Sequence, residues 1–182
     1  MRVISGKAKS LRLKTIEGDS TRPTTDRIKE TLFNIIGCEV IEANFLDLFA
    51  GSGGIGIEAL SRGATSCVFV ENNPKCVSVI KDNLKATRLE DGASIIRMDV
   101  ISYIKGIKNT QYDIIFIDPP YRGGFEGQVL KSISDNGLCH DDTVVILEAL
   151  KDFDEELAKE YGFCVNKVKI YGSNKHIFLG RS

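Results

Sequence analysis

The sequence predicts an α/β fold, a mainly parallel sheet with helices on both faces. Three observations carry this. From Phe45 onward, short apolar runs of strand length alternate with stretches of helical periodicity. Those runs (FLDLF, CVFVE, SIIRM, DIIFID and VVILE) are apolar almost throughout, which fits strands covered on both sides. The chain then closes on two strand-like runs around Gly172 and Ser173. That Gly-X pair suits a two-residue hairpin turn, so the sheet is expected to end in an antiparallel pair.

Element by element, residues 1–16 alternate loosely around SGK and read as a small β-hairpin. In TRPTTDRIKETLFNIIG, Thr24 or Thr25 can cap a helix whose apolar face is Ile28, Leu32, Ile35 and Ile36, and Gly37 can end it. Between the strands, helices are expected around 55–61, 74–86, 100–107 and 127–134, with another over 152–161. Without repeats or a linker, the 182 residues read as one domain, an N-terminal hairpin and helix over 1–37 attached to a core over 44–182.

A hydrophobic content of 42% with 27% charged residues is that of a soluble globular protein. No apolar run approaches the roughly 18 residues of a membrane span, and MRVISGKAKS lacks the apolar stretch of a signal peptide. The five cysteines, odd in number and without a C-x-x-C pair, point to a reduced, cytoplasmic protein with no zinc site. With His140 and His176 as the only histidines, no His-rich metal site is expected. The net charge of −1 hides an asymmetry: Arg2, Lys7, Lys9, Arg12 and Lys14 give the first 16 residues +5 with no acid. Such a patch suits phosphate contact, or else it is simply a solvated hairpin.

DLFAGSGGIG, residues 47–56, runs a strand into glycines and then into a helix. Glycines let a backbone approach a ligand, and a helix N-terminus offers unpaired N–H groups. The stretch satisfies G-x-G-x-x-G, a weak signal alone, so a dinucleotide oxidoreductase has to be weighed. Asp47 argues against it. Four residues before Gly51, its carboxylate can meet an ammonium, as S-adenosylmethionine offers, and would repel a pyrophosphate. Glu71 ends the next strand, placed for two ribose hydroxyls. Asp99 ends the third, placed for an adenine amino group, with the Val100 N–H available to the ring. The plainer reading of Glu71 and Asp99 is that each caps the helix that follows.

FIDPPYRGGF, residues 116–125, supplies the reacting half. A nucleobase amine is a poor nucleophile because its lone pair is delocalised. Asp118 and the Pro119 carbonyl can accept its N–H bonds, and consecutive prolines hold that carbonyl in place beforehand. Tyr121 can stack on the base, and Gly123 and Gly124 let the loop fold over it. Asp118 is expected to be ionised at neutral pH, from an unperturbed pKa of about 3.9.

Four segments resemble the bacterial RsmD-type 16S ribosomal RNA guanine-N2 methyltransferases: MRVISGKAKSLRL, TRPTTDRIKETLFNII, FLDLFAGSGGIGIEALSRGA and DIIFIDPPY. Their order and spacing match over nearly the whole length. D-P-P-Y alone marks amino methyltransferases generally, whereas RPTTDR followed by LFN is more specific to this family. The resemblance implies a Rossmann-like class I methyltransferase sheet of seven strands, the last antiparallel. It implies S-adenosylmethionine as cofactor and S-adenosylhomocysteine as product, with no metal. By motif match Asp47, Gly51, Gly53, Glu71 and Asp99 bind the cofactor, while Asp118, Pro119 and Tyr121 handle the guanine amine. Thr24, Thr25 and Arg27 lie near the methionine end or the substrate cleft.

The implied partner is 16S rRNA, within the small ribosomal subunit or an assembly intermediate, met by a monomer through Arg2, Lys7, Lys9, Arg12, Arg22 and Arg122. One departure is visible: where the family carries a G-G-K-x-R-G hairpin this chain has SGKAKS, and lysine lacks the bidentate fork of arginine. Two other classes compete. A DNA adenine-N6 methyltransferase also acts on an exocyclic amine, but 182 residues leave little room for a domain that reads duplex sequence. A non-catalytic RNA-binding assembly factor on the same fold would not need every chemical residue present. Glutamine-directed protein methyltransferases, a weaker relative, typically show Asn where Asp118 stands.

Overall fold

The computed structural model describes residues 1–16, 26–120 and 124–182. Seven strands form one sheet: β1 Asn44–Leu48, β2 Ser66–Val70, β3 Ala93–Ile96, β4 Tyr112–Ile117, β5 Cys139–Leu150, β6 Phe163–Tyr171 and β7 Asn174–Arg181. Their order is β3-β2-β1-β4-β5-β7-β6. Neighbours from β3 to β5 are parallel, and β7 runs antiparallel between β5 and β6. The Gly172–Ser173 hairpin and the inverted last strand are where the sequence puts them.

Five helices, α1 Asp26–Ile36, α2 Gly54–Arg62, α3 Pro74–Thr87, α4 Val100–Gly106 and α5 Phe125–Asp135, lie within a few residues of expectation. The helix expected over 152–161 is a 3-10 segment, Glu155–Tyr161, entered through an Asp154 cap on the Glu156 N–H.

Because successive strand residues face opposite ways, the sheet carries two cores. On one face Phe45, Phe69, Phe116 and Phe178 pack with Leu32, Phe33 and Ile36 of α1 and with Ile57 of α2. On the other, Leu46, Leu48, Ile115 and Ile117 pack with Ile104 of α4 and Val129 and Ile133 of α5. The apolar face expected for α1 is therefore displaced. Its buried residues are Lys29, Leu32, Phe33 and Ile36, whereas Ile28 and Ile35 are half-buried.

Lys29 is buried because Glu58 of α2 is buried beside it. The Lys29 Nζ donates to Glu58 Oε2 at 3.1 Å and to the Arg2 carbonyl at 2.6 Å. Glu58 also accepts from Arg62 Nε at 2.8 Å and from the Ile4 and Ser5 N–H groups at 2.8 and 3.0 Å. Burial lowers the Lys29 pKa against the pull of Glu58. A buried pair earns its place only when every bond is made, and here the bonds tie the N-terminal segment to α2.

That segment is a hairpin in outline, with one ladder bridge (Arg2 to Arg12) and a Val3 N–H to Leu11 carbonyl bond of 2.9 Å. Gly6, at φ +81°, lies so close to α2 that a Cβ there would sit 1.8 Å from the Ser61 carbonyl oxygen. Gly6→Ala is expected to cost about 3 kcal/mol, since backbone strain and overpacking add. Equilibrium denaturation reads this, and an unchanged midpoint would contradict the packing.

Candidate active site

The chain leaves β1 and β4 side by side, where the connections diverge to opposite halves of the sheet. Open α/β sheets bind ligands in such a crevice, outside the carboxyl ends of the strands. A cleft of about 360 Å³ opens there, within the range of small-molecule sites.

Its floor is Asp47, 2% exposed on β1, on the same face as Phe45. Oδ2 accepts from the Gly56 N–H at 2.9 Å, at the start of α2. Burial pushes the Asp47 carboxyl from an ordinary 3.8 up to about 7, with the Gly56 bond opposing and Glu71 adding to the rise. Above it the chain turns through Gly51 and Gly53, at φ +55° and +77°, a conformation few L side chains adopt. Gly51 lines the cleft beside Ala50, Ser52 and Gly54. Gly53 is absent from the wall; its Cα faces Ile80 of α3 and shapes the turn as the α2 cap.

Glu71 leaves the end of β2 and holds this turn. Oε2 accepts from the Gly51 N–H and Oε1 from the Asn73 N–H, each at 2.8 Å. The cap of α3 is Asn73, which accepts from the Lys75 N–H at 2.9 Å, so Glu71 is not that cap. Asp99 does cap α4, through the Ser102 N–H at 2.9 Å, and it also lines the cleft with Val100. The plainer reading, a helix cap, is thus met, and the same residue borders the cleft.

Asp118, Pro119 and Pro120 border the same cleft. Asp118 is half-buried just past β4, and its N–H reaches the Leu48 carbonyl at 3.4 Å. The ordinary aspartate titration expected of Asp118 is not what its surroundings give it. Desolvation, then the charges of Glu148 and Asp47, hold the Asp118 carboxyl well above the usual range. No local pattern signals this, because both neighbours arrive from other strands.

Several lining residues were missed by the sequence reading. Phe49 adopts φ +63°, a strained conformation for a bulky residue, and its ring meets Phe125 at 6.4 Å between centroids. Met1, Asn72, Cys76 and Ile101 also reach the cleft. Met1 comes from the N-terminal hairpin, packed where a Cβ on Gly54 would lie 2.5 Å from its Cε.

Tyr121, Thr24, Thr25, Arg22 and Arg122 lie outside the described residues. Of the basic residues expected to meet RNA, Lys7, Lys9 and Arg12 are exposed. Arg2 is exposed too, with its Nε paired to Asp26 at 2.8 Å.

The family model described as "Conserved hypothetical protein 95" matches residues 1–180. Ribosomal RNA small subunit methyltransferase D of Escherichia coli (strain K12) is 34% identical over 149 residues, covering 82% of this chain and 74% of that protein. The chain belongs to the RsmD-type methyltransferase family.

YlbH of Bacillus subtilis, whose name describes a candidate rRNA methyltransferase, is 40% identical over 175 residues, 94% of each chain. A solved structure from Escherichia coli, a candidate methyltransferase called yhhF, superposes with a TM-score of 0.85 at 29% identity. The superposition covers 100% of this chain and 98% of that one. The RsmD-type fold is thus the class I methyltransferase sheet read above, with the glycine turn and the D-P-P segment on one crevice.

Proposed function

We propose that this protein methylates the exocyclic N2 amine of a guanine in 16S ribosomal RNA, with S-adenosylmethionine as donor. One observation carries the reading: the Asp47–Gly51 turn and the Asp118-Pro119-Pro120 segment, 71 residues apart from Asp47 to Asp118, border a single cleft. The name of the Escherichia coli relative supports ribosomal RNA of the small subunit as the substrate.

The cleft fits the cofactor in a testable way. A carboxyl buried as deeply as Asp47 is costly to ionise, and a ligand ammonium would offset that cost. Gly51 and its neighbours admit a ligand against the backbone, Glu71 and Asp99 suit the ribose and adenine, and the Val100 N–H suits the ring. When bound, S-adenosylmethionine supplies a sulfonium methyl: the N–C bond forms, and the C–S electron pair returns to sulfur as S-adenosylhomocysteine.

The chain's own residues prepare the amine. Asp118 and the Pro119 carbonyl accept its two N–H bonds, drawing nitrogen toward tetrahedral geometry and freeing its lone pair. Proline fixes the acceptor in advance, so alignment costs little when substrate arrives. Asp118 takes the proton that nitrogen sheds after alkylation, and its raised pKa suits it to do so. Tyr121, by its place in the motif, stacks on the base.

The deciding experiment incubates protein, labelled cofactor and small subunits from a strain lacking the enzyme, then digests the RNA. Label in N2-methylguanosine is expected. Label in N6-methyladenine of added DNA, or none in RNA, would overturn the reading.

For RNA contact, Lys7, Lys9 and Arg12 are exposed cations of the hairpin. Replacing all three by Gln is expected to weaken RNA binding and reduce the slope of log affinity against log salt by about 2. An unchanged slope would remove these residues from the interface.

A further inference from the structure

Behind Asp118 lies a second acid that the cleft does not expose. Ile117 of β4 pairs with Leu147 of β5, which brings Asp118 and Glu148, the next residues of each strand, to the same level. Across the next ladder, Glu148 pairs with His176 of β7. Glu148 is 7% exposed and His176 0%.

Glu148 Oε1 accepts from Asn174 Nδ2 at 3.1 Å, and Oε2 meets His176 Nε2 at 3.1 Å. Glu148 makes a further interaction besides these. The imidazole is itself fixed by rings: Tyr171 at 4.9 Å, Phe116 at 5.9 Å and Phe178 at 6.5 Å between centroids, all edge-on. Both Glu148 oxygens are thus held from β7, one of them by an imidazole packed among three rings.

We propose that Glu148, anchored by His176 and Asn174, is a positioning residue that makes Asp118 a stronger proton acceptor in amine methylation. This rests on the assignment of Asp118 as the amine acceptor. Among the described residues, the charged groups acting on Asp118 are Glu148 from β5 and Asp47 from β1. The titratable groups around Glu148 are Asp118, His176 and the Tyr171 phenol of β6, the last pushed up to about 12 by burial and by Glu148. Lys175 of β7 is turned elsewhere, onto the Phe153 carbonyl and Glu155.

A like charge held beside a half-buried carboxylate opposes its ionisation and so raises its hold on a proton. Glu148 does not line the cleft. Its effect reaches the amine through Asp118: the proton leaving the methylated nitrogen goes to the Asp118 carboxylate, and Glu148 determines how firmly it is kept.

The test reads Asp118 directly. Protein carrying carboxyl-13C aspartate is titrated by NMR, with the Asp118 signal assigned by its loss in Asp118→Asn. In Glu148→Gln the Asp118 midpoint is expected to fall by about 1 pH unit. The acid limb of methyl transfer should move the same way. Should Glu148→Gln fail to fold, Glu148→Asp, which draws the charge back by one methylene, is expected to give a smaller downward shift. An unchanged midpoint in a folded variant overturns the proposal, even if activity drops, because a purely structural role would do that. If Asp118→Asn transfers methyl groups at the parent rate, the acceptor assignment itself fails, whatever the Glu148 variants show.

Discussion

Asp118→Asn is expected to lower methyl transfer to ribosomal RNA by about 10³-fold while leaving cofactor affinity within about twofold. The amide is nearly the same size, but it presents one acceptor oxygen where the carboxylate presents two, and it cannot take the departing proton. Losing a positioned acceptor and a proton acceptor together accounts for an effect of that order. Single-turnover transfer of labelled methyl groups reads the rate, and calorimetry with S-adenosylhomocysteine reads the binding. Parent-level turnover would end the proposed chemistry.

The pH dependence has a definite sign. Burial and the neighbouring acids raise the Asp118 pKa, so the ionised acceptor is present above that value and lost as pH falls through it. Transfer by the parent protein should therefore decline on the acid side well above the pH of an ordinary aspartate. The Asn variant should lack this limb.

The second large effect is at Asp47. Its folded pKa of about 7 lies above the ordinary 3.8, so the ligand-free fold favours the protonated carboxyl. That preference contributes fully below the unfolded value and is lost as pH rises through about 7. At about 1.36 kcal/mol per unit, the change is on the order of 4 kcal/mol at most.

Asp47→Asn should thus make the ligand-free protein less sensitive to pH between about 4 and 7 in thermal unfolding. The same variant should bind S-adenosylmethionine about 10²-fold more weakly, since a bond to a charged group is worth about 1.5–3 kcal/mol. In the parent, an arriving ammonium should expel the Asp47 proton. Calorimetry at pH 6 in buffers of different ionisation enthalpy should register proton release, and at pH 8.5 it should not. Equal release at both values would place the ammonium elsewhere.

These two residues were readable because the signals around them are local. Asp47 precedes a glycine turn that no helix interior would tolerate, and Asp118 precedes two prolines that no strand would continue through. Glu71 and Asp99 were readable only as strand ends. That ambiguity was real: Glu71 proved to hold the glycine turn, and Asp99 to cap α4 while lining the cleft.

Lys29 and Glu58 show a different limit. Helical periodicity counts apolar residues, so it shifted the α1 face toward Ile28 and Ile35 and passed over a buried lysine whose partner is 29 residues away. Phe49 and Met1 sit inside quoted motifs with no role read for either side chain, and they reach the cleft through a positive-φ backbone and the docking of the N-terminal hairpin.

The alternation of apolar runs with helical stretches, together with the turn residues, was enough to establish a mainly parallel α/β sheet that ends in an antiparallel pair, with acids at its carboxyl edge. Those features depend on neighbours a few residues apart, and short-range sterics and burial dictate them. The charge states of Asp47 and Asp118, the Glu148–His176 pair behind them and the knot around Glu58 depend on strand register and helix docking. Burial of a charge is a property of everything that surrounds it, and those surroundings come together only when distant segments pack.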